Sequence, residues 1–409
     1  MKNTFNSDFF THNRKRLVES LNTDAPIVVV GNGTMQRNRD NSFPFRQNSN
    51  FWYLTGVEEP DAWLLIYKNE SFIVTADDDF VHAYFEGAVN DEAIVASSGA
   101  DYVMRQKQAW PHLRKILQKH STLAMNVPDP IFDSMHRIYT NPAQSRFKQK
   151  IKRAKPDVKL IDVRKELMDL RWVKQAPEIA ALQHAIDETC SALQHVQQNI
   201  NAYKNESHIE ADLTHSFAMK QMRHAYYPIV GAGIRSCTLH YSDNNQPING
   251  GEVVLIDVGA EYSNYAADIT RTFVKGSASD LQRQVLLAVT RASDYMVSLI
   301  HPGAIFYDIL LETEQFIGRE LKTLGLIDDP TKREQIHEYF PHASHYLGLD
   351  VHDVGDYRKP LVPGVVLTAE PGIYIPSKSV GVRIEDDILV TEEGCRVLSK
   401  NLPKHFVVD

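Results

Sequence analysis

Residues 252–273 read EVVLIDVGAEYSNYAADITRTF, two apolar runs that flank a polar turn. Each run contains one aspartate, Asp257 after VVLI and Asp268 within AADIT, at a position that an apolar strand residue would normally occupy. A hairpin centred between Tyr262 and Ser263 would place the two aspartates opposite each other, with Cβ atoms roughly 5 Å apart. Two buried carboxylates at that distance repel, and a shared cation would remove the repulsion. On this stretch alone, one core acid and one edge acid remain an alternative.

A second pair of acids lies near the C-terminus. Residues 365–375, VVLTAEPGIYI, contain Glu370, and residues 381–390, GVRIEDDILV, contain Glu385. The turn signal PSKS at 376–379 lies midway between them, so this hairpin also predicts that its two acids face each other. Two hairpins that each present a facing acid pair within apolar strands favour a functional cluster over coincidence.

Between the hairpins, residues 340–356 read FPHASHYLGLDVHDVGD and contain His342, His345 and His352. Imidazole is the commonest neutral metal ligand. Four carboxylates and one histidine form an oxygen-rich, thiolate-free set that suits Mn²⁺, Co²⁺ or Zn²⁺ and argues against Cu(I) or Fe–S. Two divalent ions neutralise four carboxylates, and such a pair activates water and polarises a carbonyl. The pattern predicts a dinuclear hydrolase.

Composition narrows the class of protein. The chain has 409 residues, enough for two or three domains, and its 43% hydrophobic and 23% charged residues are typical of soluble proteins. The net charge of -8 argues against a nucleic-acid surface, and no apolar run approaches the ~20 residues that span a bilayer. The N-terminus lacks the apolar core of a secretory signal. Three widely spaced cysteines argue against a disulfide framework and predict a reducing cytoplasm.

The order of periodic segments predicts an α/β (α+β) chain of two domains, 1–165 and 166–409. The first domain mixes both patterns, with helices predicted at 8–21, 110–119 and 131–139 and strands at 25–30, 62–67, 71–75 and 81–87. From residue 166 to about 202, apolar residues recur at helical spacing. Further helices are predicted at 207–223, with Ser207 as its cap, at 281–300 and at 307–324. Further strands are predicted at 253–257, 268–273, 365–370 and 382–390.

The ordered acids and histidine resemble the ligand set of the pita-bread metallopeptidases, family M24. These residues are Asp257, Asp268, His345, Glu370 and Glu385. Four further segments are similar to the aminopeptidase P group of that family: FPFRQNSNFWYLTGVEEPDA at 43–62, LHYSDN at 239–244, HYLGLDVHDVG at 345–355 and RIEDD at 383–387. The resemblance covers nearly the whole chain. It implies a pita-bread catalytic domain preceded by a smaller non-catalytic N-terminal domain.

The resemblance also implies an activity, the removal of the N-terminal residue from peptides with proline in second position. Asp268 and Glu385 would bridge two metal ions, most suitably Mn²⁺. Asp257 would be a further ligand of one ion, and His345 and Glu370 would be further ligands of the other. A bridging hydroxide would attack the peptide carbonyl, and Glu370 would pass its proton to the leaving proline nitrogen.

The same resemblance assigns further residues. His240 and His352 would bind substrate and stabilise the transition state, and Arg383 would orient an acid by paired hydrogen bonds. Tyr84 would be an aromatic that a neighbouring subunit lends to the site in a homodimer or homotetramer, and Asp40 would lie on the rim that faces the substrate. Structural roles are the alternatives: hydrogen-bonded loop histidines, an ion pair for Arg383 and a core tyrosine in a strand.

One position departs from the family pattern. The family usually has a histidine four residues before the metal-binding histidine, where this chain has Pro341. Either a one-residue deletion lets His342 contact substrate instead, or the substrate contact is altered.

Two other functions stay open at this point. A dipeptidase for Xaa-Pro would use the same five ligands, and release of the first residue from a tripeptide would separate it from an aminopeptidase. A non-catalytic peptide-binding module of the same fold would be expected to have lost ligands, and none is missing here. A methionine aminopeptidase generally lacks an N-terminal domain of this kind.

Overall fold

A computed structural model of the chain describes residues 5–77, 79–341 and 344–404. It divides into two compact units, Met1–Arg171 and Trp172–Asp409. In the described part of the chain, no helix combines the length and the hydropathy that a membrane span requires.

The first unit mixes helices with strands. Its helices are α1 (Ser7–Leu21), α2 (Ser49–Thr55), α3 (Phe80–Glu86), α4 (Asp91–Ser98), α5 (Gln106–Lys119), α6 (Pro142–Ala154) and α7 (Arg164–Trp172), which reaches the unit boundary. Its strands are β1 (Ile27–Val30), β2 (Gln36–Asn38), β3 (Asn41–Ser42), β4 (Trp63–Tyr67), β5 (Glu70–Thr75), β6 (Tyr102–Arg105), β7 (Thr122–Met125), β8 (Phe132–Asp133), β9 (Ile138–Tyr139) and β10 (Lys159–Asp162).

A mixed sheet is the centre of this unit. Among the described strands, six form it in the order β10-β7-β1-β4-β5-β6, with β1 antiparallel to β4 and parallel to β7. Helices α5 and α6 pack Trp110 and Phe147 against Trp63 of β4, with ring centroids 5.0–5.6 Å apart. Apolar residues of the strands and these rings form one continuous core.

Two predictions for this unit are wrong. The segment predicted as a helix at 131–139 forms the short β8–β9 hairpin, because the Asp133 carboxylate accepts hydrogen bonds from the backbone N–H groups of Met135 and His136 and so stabilises a turn. The segment predicted as a strand at 81–87 forms α3. There the Asp79 carboxylate accepts a hydrogen bond from the Val81 N–H and caps the start of the helix.

The second unit alternates long helices with short antiparallel sheets. Its helices are α8 (Ala176–Asn199), α9 (Glu206–Met219), α10 (Asp280–Leu299), α11 (Phe306–Thr323) and α12 (Arg333–His337). Its strands are β11 (Arg223–His224), β12 (Ile229–Ala232), β13 (Val253–Val258), β14 (Ala260–Tyr262), β15 (Tyr265–Ala266), β16 (Ile269–Val274), β17 (Val366–Ala369), β18 (Gly372–Ile375), β19 (Val380–Arg383), β20 (Asp386–Thr391) and β21 (Gly394–Val397).

The helix boundaries correct the sequence prediction in two places. The helical pattern at 166–202 is interrupted between α7 and α8, and Glu178 of α8 accepts a hydrogen bond from the Gln175 N–H at that break. Helix α9 is capped by Asn205, whose side chain accepts from the Ser207 N–H, so the predicted cap at Ser207 is wrong. Asparagine and serine are both good caps, and the chain path selects between them.

Candidate metal centre

The first acid-bearing hairpin has a register that differs from the predicted one. Strands β13 and β16 pair Asp257 with Thr270 and not with Asp268. Ser263 and Asn264, both with positive φ, form the two-residue turn, one residue later than predicted. This moves each cross-strand partner by two residues. A shift of two keeps the same face of the sheet, because side chains alternate along a strand.

The second hairpin has the predicted register. Ala369 of β17 pairs with Asp386, and Gly372 of β18 pairs with Arg383. Both pairings place position 370 opposite position 385, so the prediction that Glu370 faces Glu385 is confirmed. The strands are interrupted at this point, where Pro371 lacks the N–H that would continue the ladder.

The five predicted ligands converge in the second unit, and all of them are buried: Asp257, Asp268, His345, Glu370 and Glu385. His345 Nε2 lies 3.3 Å from Asp268 Oδ2 and 3.3 Å from Glu370 Oε1. Asp268, His345 and Glu385 each offer a ligand atom within 4.8 Å of the others. Tyr226 Oη lies 2.6 Å from Asp268 Oδ1 and also donates to Asp257 Oδ1, which brings the fifth residue into the same cluster.

His345 is oriented as a metal ligand would be. Its Nδ1 donates to the carbonyl oxygen of Tyr346 at 3.0 Å, so in the neutral ring the lone pair is on Nε2, the atom that lies among the carboxylates. Its backbone N–H donates to Thr368 Oγ1, which in turn donates to Glu370 Oε1 at 2.7 Å. Thr368 therefore links the positions of two candidate ligands.

The electrostatics of the cluster also suit a cation. Burial and the neighbouring Asp268 raise the pKa of Asp257 to about 7, although Arg383 opposes the rise. Burial and the same aspartate raise the pKa of Glu385 well above its usual range. Burial lowers the pKa of His345, but the carboxylates of Glu370 and Asp268 outweigh this effect and raise it to about 9.

These shifts have one common cause, negative charge concentrated in a buried space. Arg383 offsets only part of four carboxylate charges. Divalent cations would offset the rest, and four carboxylates with one imidazole form a donor set that suits first-row divalent ions. The residues present therefore fit divalent metal ions.

Arg383 contacts an acid, but not by the predicted paired hydrogen bonds. Its three nitrogens bind three different partners: Nη2 donates to Asp257, Nε to Thr270 Oγ1 at 2.9 Å and Nη1 to Tyr374 Oη at 2.9 Å. The carboxylate nearest in sequence, Glu385, lies 3.8 Å from Nε. Arg383 thus connects the two hairpins.

The other two predicted histidines lie in the same unit. The ring of His352 packs edge-on against His345, with centroids 4.4 Å apart. Burial, the charge of His345 and, last, that of His240 lower the pKa of His352, although Asp268 and Glu370 oppose the change. His240 is exposed in the loop that follows β12.

Two further predicted residues, Asp40 and Tyr84, lie in the first unit. Asp40 lies in the exposed turn between β2 and β3, and Tyr84 lies on α3 with 78% of its surface exposed, so the predicted strand tyrosine is a helical one. His342 lies outside the described residues.

Sequence reasoning missed the residues that hold the ligands in place. Tyr226, Thr270 and Tyr374 all bind a ligand or Arg383, and Asp387 accepts from the backbone N–H of Asp268 at 3.2 Å. Thr270 could have been found, since it follows Asp268 by two residues and lies at the start of β16. Tyr226 lies between β11 and β12, and no sequence pattern around it indicates contact with the acids.

The chain matches two family models. Residues 180–392 match the model of metallopeptidase family M24, and residues 10–124 match the N-terminal domain of aminopeptidase P. The first match covers the whole candidate metal centre. The chain therefore belongs to metallopeptidase family M24 and is a metalloaminopeptidase of the aminopeptidase P group.

Similar proteins match over almost the whole length. The Xaa-Pro aminopeptidase of Haemophilus influenzae is 32% identical over 97% of this chain and 95% of its own. That of Escherichia coli is 30% identical over the same shares of the two chains. Human Xaa-Pro aminopeptidase 3 is 31% identical over 94% of this chain and 80% of its own.

Solved structures agree. A putative aminopeptidase P from Bacillus anthracis superposes with a TM-score of 0.90 at 29% identity, over 98% of this chain and 96% of the other. Aminopeptidase P from Escherichia coli with the inhibitor Pro-Leu superposes with a TM-score of 0.86 at 28% identity, over the same shares. The predicted architecture, an aminopeptidase P N-terminal domain followed by a pita-bread catalytic domain, is confirmed.

Proposed function

We propose that this protein removes the N-terminal residue from peptides whose second residue is proline, with two divalent metal ions as cofactors. The observation that carries the proposal is one buried cluster of four carboxylates and His345, in which His345 Nε2 lies 3.3 Å from both Asp268 and Glu370. Xaa-Pro aminopeptidases that match the chain at 30–32% identity support the substrate class.

The metal ions would be held by the five converging residues. Asp268 and Glu385 would contact both ions, Asp257 one, and His345 and Glu370 the other. Mn²⁺ is the proposed ion because the donor set is dominated by carboxylate oxygen. When bound, the ions would supply the Lewis acidity that turns water into a nucleophile near neutral pH and polarises the peptide carbonyl.

The chain's own residues would move the proton and hold the substrate. Glu370 would accept the proton of the attacking water and deliver it to the proline nitrogen, which as an imide nitrogen has none of its own. His352 and His240 would bind the substrate and donate to the oxygen that becomes negative in the transition state. Arg383 would hold Asp257 in the orientation that the centre requires.

The remaining assignments rest on the family resemblance. We assign a non-catalytic domain to 1–165 and the catalytic domain to 166–409, with Asp40 on the substrate-facing rim. Tyr84 would reach the site of a neighbouring subunit in a homodimer or homotetramer, which suits its exposure. The cytoplasmic location stays a prediction.

The experiment combines metal analysis with two matched substrates. Purified protein supplied with Mn²⁺ is expected to hold about two ions per chain and to release the first residue from a tripeptide with proline in second position. A tripeptide with alanine there is the control and should be cleaved far more slowly. Cleavage of the matching Xaa-Pro dipeptide alone would identify a dipeptidase. Protein that bound no metal and cleaved neither substrate would be a non-catalytic module.

A further inference from the structure

The loop that carries His240 is held by one buried glutamate. Glu206, the first residue of α9, is fully buried, and its carboxylate accepts four hydrogen bonds from residues of the 232–246 segment. The donors are the Ala232 N–H at 2.9 Å, Arg235 Nε at 2.6 Å, Tyr241 Oη at 2.8 Å and the Gln246 N–H at 3.0 Å. A single side chain thus fixes the beginning, the middle and the end of this segment.

Backbone pairing around Glu206 strengthens this attachment. The Glu206 N–H donates to the Gln246 carbonyl at 3.0 Å, so the two residues are bonded in both directions. Nearby, the Ile248 N–H donates to the Lys204 carbonyl at 3.0 Å. The far end of the loop is therefore tied to the start of α9 by backbone as well as side-chain bonds.

The residues on either side of His240 are anchored, and His240 is not buried. Leu239 and Tyr241 pack against the core residues Ile229, Leu255 and Tyr374. His240 itself is exposed between them. The backbone at His240 is therefore held from both sides, and on one side Tyr241 donates a hydrogen bond to Glu206.

We propose that Glu206 is a positioning residue of the reaction, which holds the 232–246 loop so that His240 reaches the substrate beside His352. This inference rests on the proposed function, because it uses the assignment of His240 to substrate binding. A carboxylate is required for the task. Glutamine offers one acceptor oxygen, and its NH₂ group would face N–H donors that it cannot accept from.

The central test is a double-mutant cycle between Glu206→Gln and His240→Ala. Glu206→Gln is expected to lower kcat/KM for the proline tripeptide by about a hundredfold, since a displacement of about 1 Å at a reacting group has an effect of that size. His240→Ala removes the imidazole itself and is expected to lower kcat/KM by a similar factor. If Glu206 acts through His240, the double variant should be no slower than His240→Ala alone. Multiplied losses in the double variant would overturn the inference.

A milder pair of variants tests the same role if Glu206→Gln does not fold. Tyr241→Phe removes one donor to Glu206, and Tyr203→Phe removes a comparable phenol bond, to Asp212 at 2.6 Å, away from the loop. Tyr241→Phe should lower kcat/KM by about tenfold, because a partly freed loop misplaces His240, whereas Tyr203→Phe should stay within about twofold of the parent. Equal effects of the two variants would contradict the proposal.

The outcomes separate this inference from the proposed function. If the parent protein failed to cleave the proline tripeptide, the proposed function itself would be wrong. If His240→Ala kept the parental rate, the role of His240 would be wrong, and that of Glu206 with it. If His240→Ala were slow but its loss multiplied with that of Glu206→Gln, only the positioning role would be wrong.

Discussion

Glu385 and Asp386 are consecutive residues and both are buried, yet the pKa values of their carboxyl groups are shifted in opposite directions. Burial, Asp268 and Glu370 raise the pKa of Glu385 well above its usual range. Burial also acts to raise the pKa of Asp386, but the neighbouring Arg271 outweighs it, and the pKa lies below its usual range. Arg271 Nη2 lies 2.6 Å from Asp386 Oδ1.

The difference separates a structural charge from a functional one. Around Asp386 the chain supplies its own cations, Arg271 and, at 3.5 Å, Lys404, so the charge of this acid is neutralised without any added ion. Around Glu385 four carboxylates share the charge of Arg383, and added cations would be needed to neutralise them. A cluster of several buried acids that share too few cations is therefore the better indicator of a ligand site.

The largest effect should follow changes on the functional side. Asp268→Asn or Glu385→Gln is expected to lower kcat/KM by at least about a thousandfold, or about 4 kcal/mol of transition-state stabilisation. The same variants should not destabilise the metal-free protein, because they remove repulsion, and the rise in Tm on adding Mn²⁺ should shrink. Kinetics and thermal melts with and without Mn²⁺ measure both. A near-parental rate would show that neither residue contacts both ions.

On the structural side, the expected loss is in stability. Arg271→Met leaves Asp386 buried without its main partner and should lower the free energy of unfolding by about 3–5 kcal/mol. Lys404→Met is the matched control, since Lys404 is more exposed and more distant, and should cost about 1 kcal/mol or less. Urea unfolding measures both. Equal losses would mean that Arg271 does not neutralise Asp386.

A third buried acid, Glu178, should make stability depend on pH. Burial raises its pKa to about 7, while Tyr265 donates to it at 2.8 Å. A raised pKa means that the folded state holds the proton more tightly, so the stabilisation is complete below about pH 4.5 and is lost as the pH rises through about 7. The total is about 3 kcal/mol.

The control for this prediction is Glu178→Gln, which cannot ionise. Its free energy of unfolding, measured by urea at pH 5 and pH 8, should change less between the two pH values than that of the parent. An identical change in both proteins would show that Glu178 does not titrate in this range.

The smallest effect should come from Tyr226, which stabilises the cluster without a charge. Burial, Asp257 and Asp268 raise the pKa of Tyr226 well above its usual range, so its phenol keeps its proton. Tyr226→Phe should weaken Mn²⁺ binding or activity by about 10–100-fold, the range for partners of metal ligands. Tyr227→Phe, next in sequence but 80% exposed, is the control. Calorimetric Mn²⁺ titration that gave equal affinities for the two variants would contradict the role.

Sequence patterns predicted strand register correctly where a single turn signal determined it. The second hairpin was correct in register because 376–379 provides an unambiguous turn. The first was displaced because its polar segment offers more than one turn centre, and only the positive φ of Ser263 and Asn264 selected one. The helix predicted at 131–139 failed because an apolar spacing also fits a short hairpin once Asp133 stabilises a turn.

The sequence by itself determined the two-domain class and the two acid-bearing hairpins. It did so because strand periodicity and turn residues are local properties. Only the tertiary structure decided that Tyr226 joins two aspartates, that Arg383 binds Asp257 of the other hairpin and that Glu206 holds the loop of His240. Hydrogen bonds between residues 30 to 130 positions apart depend on how separate elements pack, and that packing has no local signal.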